Sequence, residues 1–179
     1  MTEKLESILR SPSFAAQQQG MVYGIAYNFF RDVAVAEDVA QDVFLQLYEN
    51  RNAVEAGSHS VAWLRRTTIH RCIDTRRRSS VRHEIQVDQL PDIPANCSDT
   101  DPLLLEKLGR LIASLPEKPR AVLILRYGED MEAEEISRTL QMPVRTVWSH
   151  LQRATAFIRD KATLYLKENK IEPVRTRSS

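Results

Sequence analysis

Apolar residues recur at helical spacing along nearly the whole chain, and the clearest stripe lies near its C-terminal end. Val144, Val147, Leu151, Ala154 and Ile158 follow one another at steps of three, four, three and four residues, which keeps them on one side of a helix. Just upstream, Ile136 and Leu140 lie four apart, and Pro143 suits the first turn of the second helix, where its missing N–H costs nothing. The spacing predicts two helices joined by a tight turn within Glu132–Arg159. At about 100° per residue, the face opposite the stripe carries Arg145, Ser149, Gln152 and Arg153, with Trp148 and His150 at its borders. A short support helix, a tight turn and a longer arginine-bearing helix form the helix-turn-helix layout that enters the major groove. An ordinary helical hairpin with a solvated outer face shows the same pattern, so spacing alone leaves both open.

The N-terminal part has the same period. Val22, Ile25, Ala26 and Phe29 predict a helix over Phe14–Arg31, and a break at Asp32–Val33 leads into a second over Val35–Arg51. In that second helix Val39, Val43 and Leu47 make one stripe, and Ala40, Phe44 and Tyr48 another beside it. Glu37 and Asp38 are expected in its first turn, where acids suit the helix dipole. Asn52–Ser60 reads as a loop, and Ser58 or Ser60 is a candidate cap for a helix over Val61–Arg78. Leu64, Thr68, Ile69, Cys72 and Ile73 cover one side of this third helix, while Trp63, Arg66, His70, Arg71, Arg77 and Arg78 cover the other. Six arginines fall between Arg65 and Arg78, with Asp74 the lone carboxylate. A solvated face would mix signs more evenly. A clustered cationic strip instead suits phosphates, because each contact releases counterions. Trp63 fits either stacking on an unpaired base or half-buried packing.

Between Ser79 and Pro102 the helical period lapses. The segment holds Pro91, Pro94 and Pro102, and one basic residue against five acids. The whole-chain formal charge of +1 conceals this partition. Helices resume at Leu103–Ser114 and Pro116–Tyr127, where Val122, Leu123 and Leu125 supply the apolar side. The expected fold is therefore all-α: two small helical domains joined by a flexible acidic linker, the second a helix-turn-helix. The boundaries are 1–78, 79–102 and 103–179.

Composition narrows the function. Cys72 and Cys97 lack metal-ligand spacing, which favours a reduced cytoplasmic setting over a regulatory disulfide. No apolar run has the length of a signal peptide core or a membrane span, so no membrane insertion is expected. His59, His70, His83 and His150 are scattered, with no carboxylate at metal spacing. With no glycine-rich phosphate loop and no nucleophile motif, the chain reads as a non-enzyme without metal or cofactor.

Three stretches carry a family resemblance: AEDVAQDVFLQLYENR at Ala36–Arg51, AWLRRTTIHRCIDTRRR at Ala62–Arg78, and SLPEKPRAVLILRYGEDMEAEEISRTLQMPVRTVWSHLQRA at Ser114–Ala154. Together they resemble the sigma-70 family of bacterial transcription initiation factors, specifically the small extracytoplasmic-function (ECF) group. The resemblance implies a factor that binds core RNA polymerase, carries it to promoter DNA and helps open the duplex. It implies polymerase docking through Asp38, Gln41, Asp42, Phe44 and Leu45. It implies minus-ten element recognition through Ser58, His59, Trp63, Arg65, Arg66, His70, Arg71, Arg77 and Arg78, with a flipped base captured in the preceding loop. Minus-thirty-five element recognition falls to Arg145, Thr146, Trp148, Ser149, His150, Gln152 and Arg153, and the acidic linker corresponds to a segment on the RNA path. Members of this group are commonly held inactive by an anti-sigma protein, which makes such a partner a candidate. A stand-alone helix-turn-helix regulator is the alternative, and it leaves the N-terminal block without a role.

The chain also departs from the family. Gln141 stands in a turn that usually has glycine, and a positive φ there costs of order 1 kcal/mol. Arg145 replaces another frequent glycine and adds a donor able to read guanine. Trp148 and His150 stand where basic residues are common, which would flatten the salt dependence of binding by about two units of slope.

Overall fold

The computed structural model describes residues 12–50, 58–82 and 102–168. Within them lie seven α-helices and no strand: α1 (Pro12–Phe30), α2 (Val33–Glu49), α3 (Ser58–Arg82), α4 (Pro102–Ser114), α5 (Glu117–Tyr127), α6 (Ala133–Leu140) and α7 (Val144–Glu168). The expected acidic linker falls almost entirely outside the described residues.

Two bundles are visible. In the N-terminal one, α1 packs on α2 and α3, and α2 on α3. Val22, Ile25, Phe29, Val39, Val43, Leu47, Leu64, Ile69 and Cys72 fill its interior, which matches the predicted stripes. The first two helices meet at a sharp corner. Arg31 takes φ 58, and its N–H donates to the Tyr27 carbonyl at 2.7 Å, closing α1. Asp32 then caps α2, its Oδ1 accepting from the Val35 N–H at 3.0 Å. This cap starts α2 two residues earlier than expected, so Glu37 and Asp38 lie in its second turn rather than its first.

The C-terminal bundle is built around α5. Ala121, Val122, Leu123, Ile124 and Leu125 are all buried, so the helix is apolar all round instead of on one side. It packs on α6 and α7, while α4 covers α7 from the other side. Ile136, Val147, Leu151 and Ala154 are buried, and Leu140, Val144 and Ile158 are half-buried, as the opening stripe requires.

The two bundles are packed on each other. α1 touches both α4 and α5, and α3 touches α5 and α6, so that one apolar cluster runs through both blocks. Arg120 sits fully buried at this junction. Its Nη1 donates to the Phe29 carbonyl at 2.9 Å, its Nη2 donates to the Leu115 carbonyl at 2.6 Å and to that of Ala113, and its guanidinium lies 4.9 Å from the centre of the Phe29 ring. Burial, with Arg76 nearby, lowers its pKa to about 10, so it remains a cation at neutral pH. A buried cation without a carboxylate must be met by other acceptors, and carbonyls at helix C-termini are the ones left unpaired. Beside it the Arg31 side chain lies over Gly109, 2.5 Å from where a Cβ would stand.

Arg120→Met should therefore lower unfolding stability by about 3 kcal/mol, because three carbonyls, two of them in buried contacts, lose their donor. Denaturant titration measures this. A change below about 1 kcal/mol would mean that water replaces the guanidinium and that it holds little together.

Candidate nucleic-acid interface

The helix-turn-helix is α6, the turn Gln141–Met142–Pro143, and α7. Its entry is fixed by the Glu132 N–H donating to the Glu135 carboxylate at 3.2 Å, and by Arg126 donating to Glu132 at 2.8 Å. In the turn Gln141 takes φ 51 and ψ 47, the left-handed conformation that glycine usually serves. The N–H groups of Gln141 and Met142 both donate to the Ser137 carbonyl, and the Ser137 hydroxyl donates to the Met142 carbonyl at 2.6 Å. These bonds hold the residue in place despite its strain. Pro143 precedes α7 by one residue, and its carbonyl accepts from the Thr146 N–H at 2.8 Å and the Val147 N–H at 3.2 Å. It thus caps the helix, one position before the expected first turn.

Arg145, Trp148, Ser149, Gln152 and Arg153 all lie on the exposed side of α7, and Thr146 is half-buried beside them. Trp148 is 50% exposed, an unusual cost for an indole in a free surface. Ser149 donates its hydroxyl back to the Arg145 carbonyl at 3.0 Å, which leaves its oxygen as an acceptor. His150 turns inward instead. Burial lowers its pKa, with Arg153 and Lys118 adding to the effect, and its Nδ1 is enclosed without a protein partner among the described residues.

The second cationic surface is α3, which starts at Ser58, so Ser58–Ser60 belong to the helix rather than to the expected loop. Ser60 is buried, and the side chains of Ser58 and His59 lie outside the described residues. Leu64, Thr68, Ile69 and Cys72 face the core, as the angular map requires, and Trp63 packs against that core half-buried. The cationic side divides into three groups. Arg66 and Arg78 are exposed to solvent. Arg71 pairs with Asp42 of α2, its Nε donating to Oδ2 at 3.0 Å, so a promoter candidate and a polymerase candidate are bound to one another. Arg65, His70 and Arg77 meet the C-terminal block. Arg65 donates to Glu129 at 2.9 Å, Arg77 to Glu117 at 3.3 Å, and His70 Nε2 lies 3.1 Å from the Thr139 carbonyl. Nothing in the linear pattern marked Glu117, Glu129 or Thr139, since each is local to an unrelated helix or loop.

On α2, Asp38 and Gln41 are exposed, Asp42 and Phe44 are half-buried, and Leu45 is 60% exposed. Phe44 packs against the core, whereas Leu45 and the neighbouring Tyr48, at 66%, present apolar surface outward. Among the described residues no helix is long and apolar enough to cross a membrane.

Comparison with known proteins gives two family matches, "Sigma-70 region 2" over residues 14–82 and "Sigma-70, region 4" over residues 105–158. The chain is 30% identical over 152 residues to the ECF RNA polymerase sigma factor SigE of Mycolicibacterium smegmatis, covering 80% of this chain and 58% of that protein. It is 28% identical over 153 residues to the probable RNA polymerase sigma factor RfaY of Xanthomonas campestris, covering 80% and 38%. The chain thus spans about half the length of these two relatives. Its fold is similar to that of the sigma factor RpoE solved with the anti-sigma factor NepR from Bartonella quintana, with a TM-score of 0.70, 17% identity, and coverage of 86% of this chain and 96% of that one.

Two outcomes follow from the turn and the helix behind it. Gln141→Gly should raise stability by about 1 kcal/mol by relieving the positive φ, seen as a higher thermal midpoint. An unchanged or lower midpoint would mean that the turn is not strained. For His150 a lowered folded pKa means the native state binds fewer protons than the unfolded chain. Its stability contribution is complete above the ordinary value near 6.5 and is lost as pH falls below it. The drop in thermal midpoint between about pH 7.5 and about pH 5.5 should be smaller in His150→Gln than in the parent. Equal drops would place the titration elsewhere.

Proposed function

The chain belongs to the sigma-70 family, and from that we propose that it is an ECF-type sigma factor that binds core RNA polymerase, directs it to promoters and assists DNA opening. The observation that carries this reading is the pairing of two cationic helices, α3 and α7, in the two segments that match regions 2 and 4. A stand-alone regulator would need only the second.

The division of labour follows the blocks. The block of residues 1–78, which α3 extends to Arg82, binds polymerase and the minus-ten element; the rest of 79–102, up to the start of α4 at Pro102, forms the linker, and 103–179 reads the minus-thirty-five element. In the C-terminal block Arg145, Ser149 and Gln152 reach base edges. Arg153 holds phosphate, and Thr146, Trp148 and His150 flank them. In the N-terminal block Arg66 and Arg78 are the exposed phosphate contacts, with Arg65, His70, Arg71 and Arg77 joining once their present partners release them. Trp63, Ser58 and His59 stand toward the start of the helix, nearest the loop proposed to receive an extruded base. Leu45 offers the exposed apolar anchor for polymerase, with Asp38, Gln41, Asp42 and Phe44 around it. The fold shared with a sigma factor solved beside an anti-sigma factor supports a partner of that kind for this chain.

Reconstituted transcription with purified core polymerase on a genomic DNA library, followed by start-site mapping, tests the reading. Promoter-specific starts are expected, and their absence together with no polymerase binding refutes it. Within that assay Arg145→Ala should lose about 1–3 kcal/mol of discrimination at one base pair. Arg66→Ala should weaken all promoters about equally and lower the salt slope by about one. Identical behaviour of the two variants across the library would overturn this division of labour.

A further inference from the structure

The outward side of α7 carries one residue that hydrogen bonding to DNA does not explain. Trp148 is 50% exposed and is the fifth of the 25 residues of the helix. Among the described residues its indole has no hydrogen-bond, ring or cation partner. Helical register sets Arg145 three residues before it and Gln152 four after it, with Ser149 adjoining, and all three are exposed. On the inner side Val144, four before, is half-buried, and Leu151, three after, is buried. Trp148 thus stands on the seam between the apolar stripe and three side chains able to hydrogen-bond base edges. Half an indole left in water gains free energy when something apolar covers it. In the major groove the base edges offer donors, acceptors and one distinctly apolar feature, the C5 methyl of thymine. A neutral ring gains nothing from counterion release, so phosphate is the poorer match. Residues near the start of an inserted helix are those that reach base edges, and their side chains lean toward that end.

We propose that Trp148 is a methyl reader, its ring packing on the C5 methyl of one thymine in the minus-thirty-five element and making that base a specificity determinant. This rests on the reading of α7 as the helix that enters the major groove of promoter DNA. Arg145 and Trp148 stand about 4.5 Å apart along the helix axis, comparable with the roughly 3.4 Å between stacked base pairs. The thymine therefore lies within about two base pairs of the one that Arg145 reads. Cytosine methylated at C5 presents the same group in the same groove, so the site also tells methylated from unmethylated cytosine at that position. A lysine in place of Trp148 would reach phosphate and carry no such preference.

Random-sequence duplexes selected by the full chain, with and without core polymerase, test this. The parent should enrich thymine at one fixed position, as should Trp148→Phe, whereas Trp148→Lys should not. On a selected duplex, deoxyuridine in place of that thymine removes only the methyl. It should weaken binding by the parent roughly fourfold and leave Trp148→Lys unaffected, and 5-methylcytosine there should be bound roughly fourfold better than cytosine. Trp148→Lys should also steepen the salt dependence by about one unit of slope, which a merely structural role would not do. Selection without an enriched thymine, a parent indifferent to deoxyuridine, or an equal penalty in the parent and Trp148→Lys would overturn the proposal. The deoxyuridine arm on the parent needs no variant to fold. Polymerase separates the two readings. If the methyl effect is present without polymerase and no promoter-specific transcript forms, the methyl reader stands and the sigma reading falls. If transcripts form while the methyl makes no difference, the methyl reader falls alone.

Discussion

One buried guanidinium fixes the arrangement of the molecule. Among the described residues Arg120 hydrogen-bonds no carboxylate; its acceptors there are backbone carbonyls, and they belong to two helix ends far apart in sequence. Phe29 closes α1, while Ala113 and Leu115 close α4. Helix C-termini carry unpaired carbonyls and partial negative charge, and both needs are met by one cation. Once α1, α4 and α5 converge on it, α3, which lies against α1, is brought beside α5 and α6. The contacts of Arg65, His70 and Arg77 follow from that placement. They are its consequence and not its cause, for partly exposed contacts of this kind contribute little by themselves.

The two cationic helices end up in different conditions. The polar side of α7 points to solvent, and its strain is confined to the left-handed Gln141, which the Ser137 carbonyl and hydroxyl hold in place. That face is already organised, so DNA would meet it with little rearrangement. α3 is the opposite case. Its apolar side is the core of the N-terminal bundle, and half of its cationic side is engaged by the chain's own acids. A helix that is core on one side and cationic on the other cannot hide its charge by turning. It can only be covered by something bearing the opposite sign, and the acids of α2, α5 and the α5–α6 loop do so.

How much of this was legible in the sequence depends on the range of the interaction. Val144, Val147, Leu151 and Ala154 announced a buried stripe because helical periodicity is local. Gln141 marked a candidate strained turn because, by the family resemblance, glycine usually stands there, and it does take a positive φ. The Asp32 cap starts α2 two residues before its apolar period does, and the unbroken apolar run Ala121–Leu125 buries α5 on more than the one side its spacing predicts. Arg120 could not be found this way. Periodic reasoning assigns an arginine to solvent, and its Phe29 carbonyl acceptor is 91 residues away. The same holds for Arg65 and Glu129, 64 residues apart. Candidate residues were therefore legible as types on faces, whereas their present partners were not.

The acceptors of Arg120 are distributed unevenly between the two blocks. Two of its three carbonyls, Ala113 and Leu115, belong to its own block, and only Phe29 belongs to the other. Of the Arg120 contacts, separation would break one charge-assisted hydrogen bond, worth about 1.5–3 kcal/mol, and one ring contact of about 1–2 kcal/mol, alongside the contacts of Arg65, His70 and Arg77. In exchange a buried cation regains water, which lowers the net cost, and the bonds that tie α5 to the end of α4 persist. The apolar surface shared by α1 with α4 and α5 then sets most of the remaining cost, while Arg31 simply lifts off Gly109. Had all three carbonyls come from the N-terminal block, opening would strand the guanidinium and leave α4 unjoined to α5. The guanidinium thus ties α5 to the end of α4 with two hydrogen bonds and to the end of α1 with one.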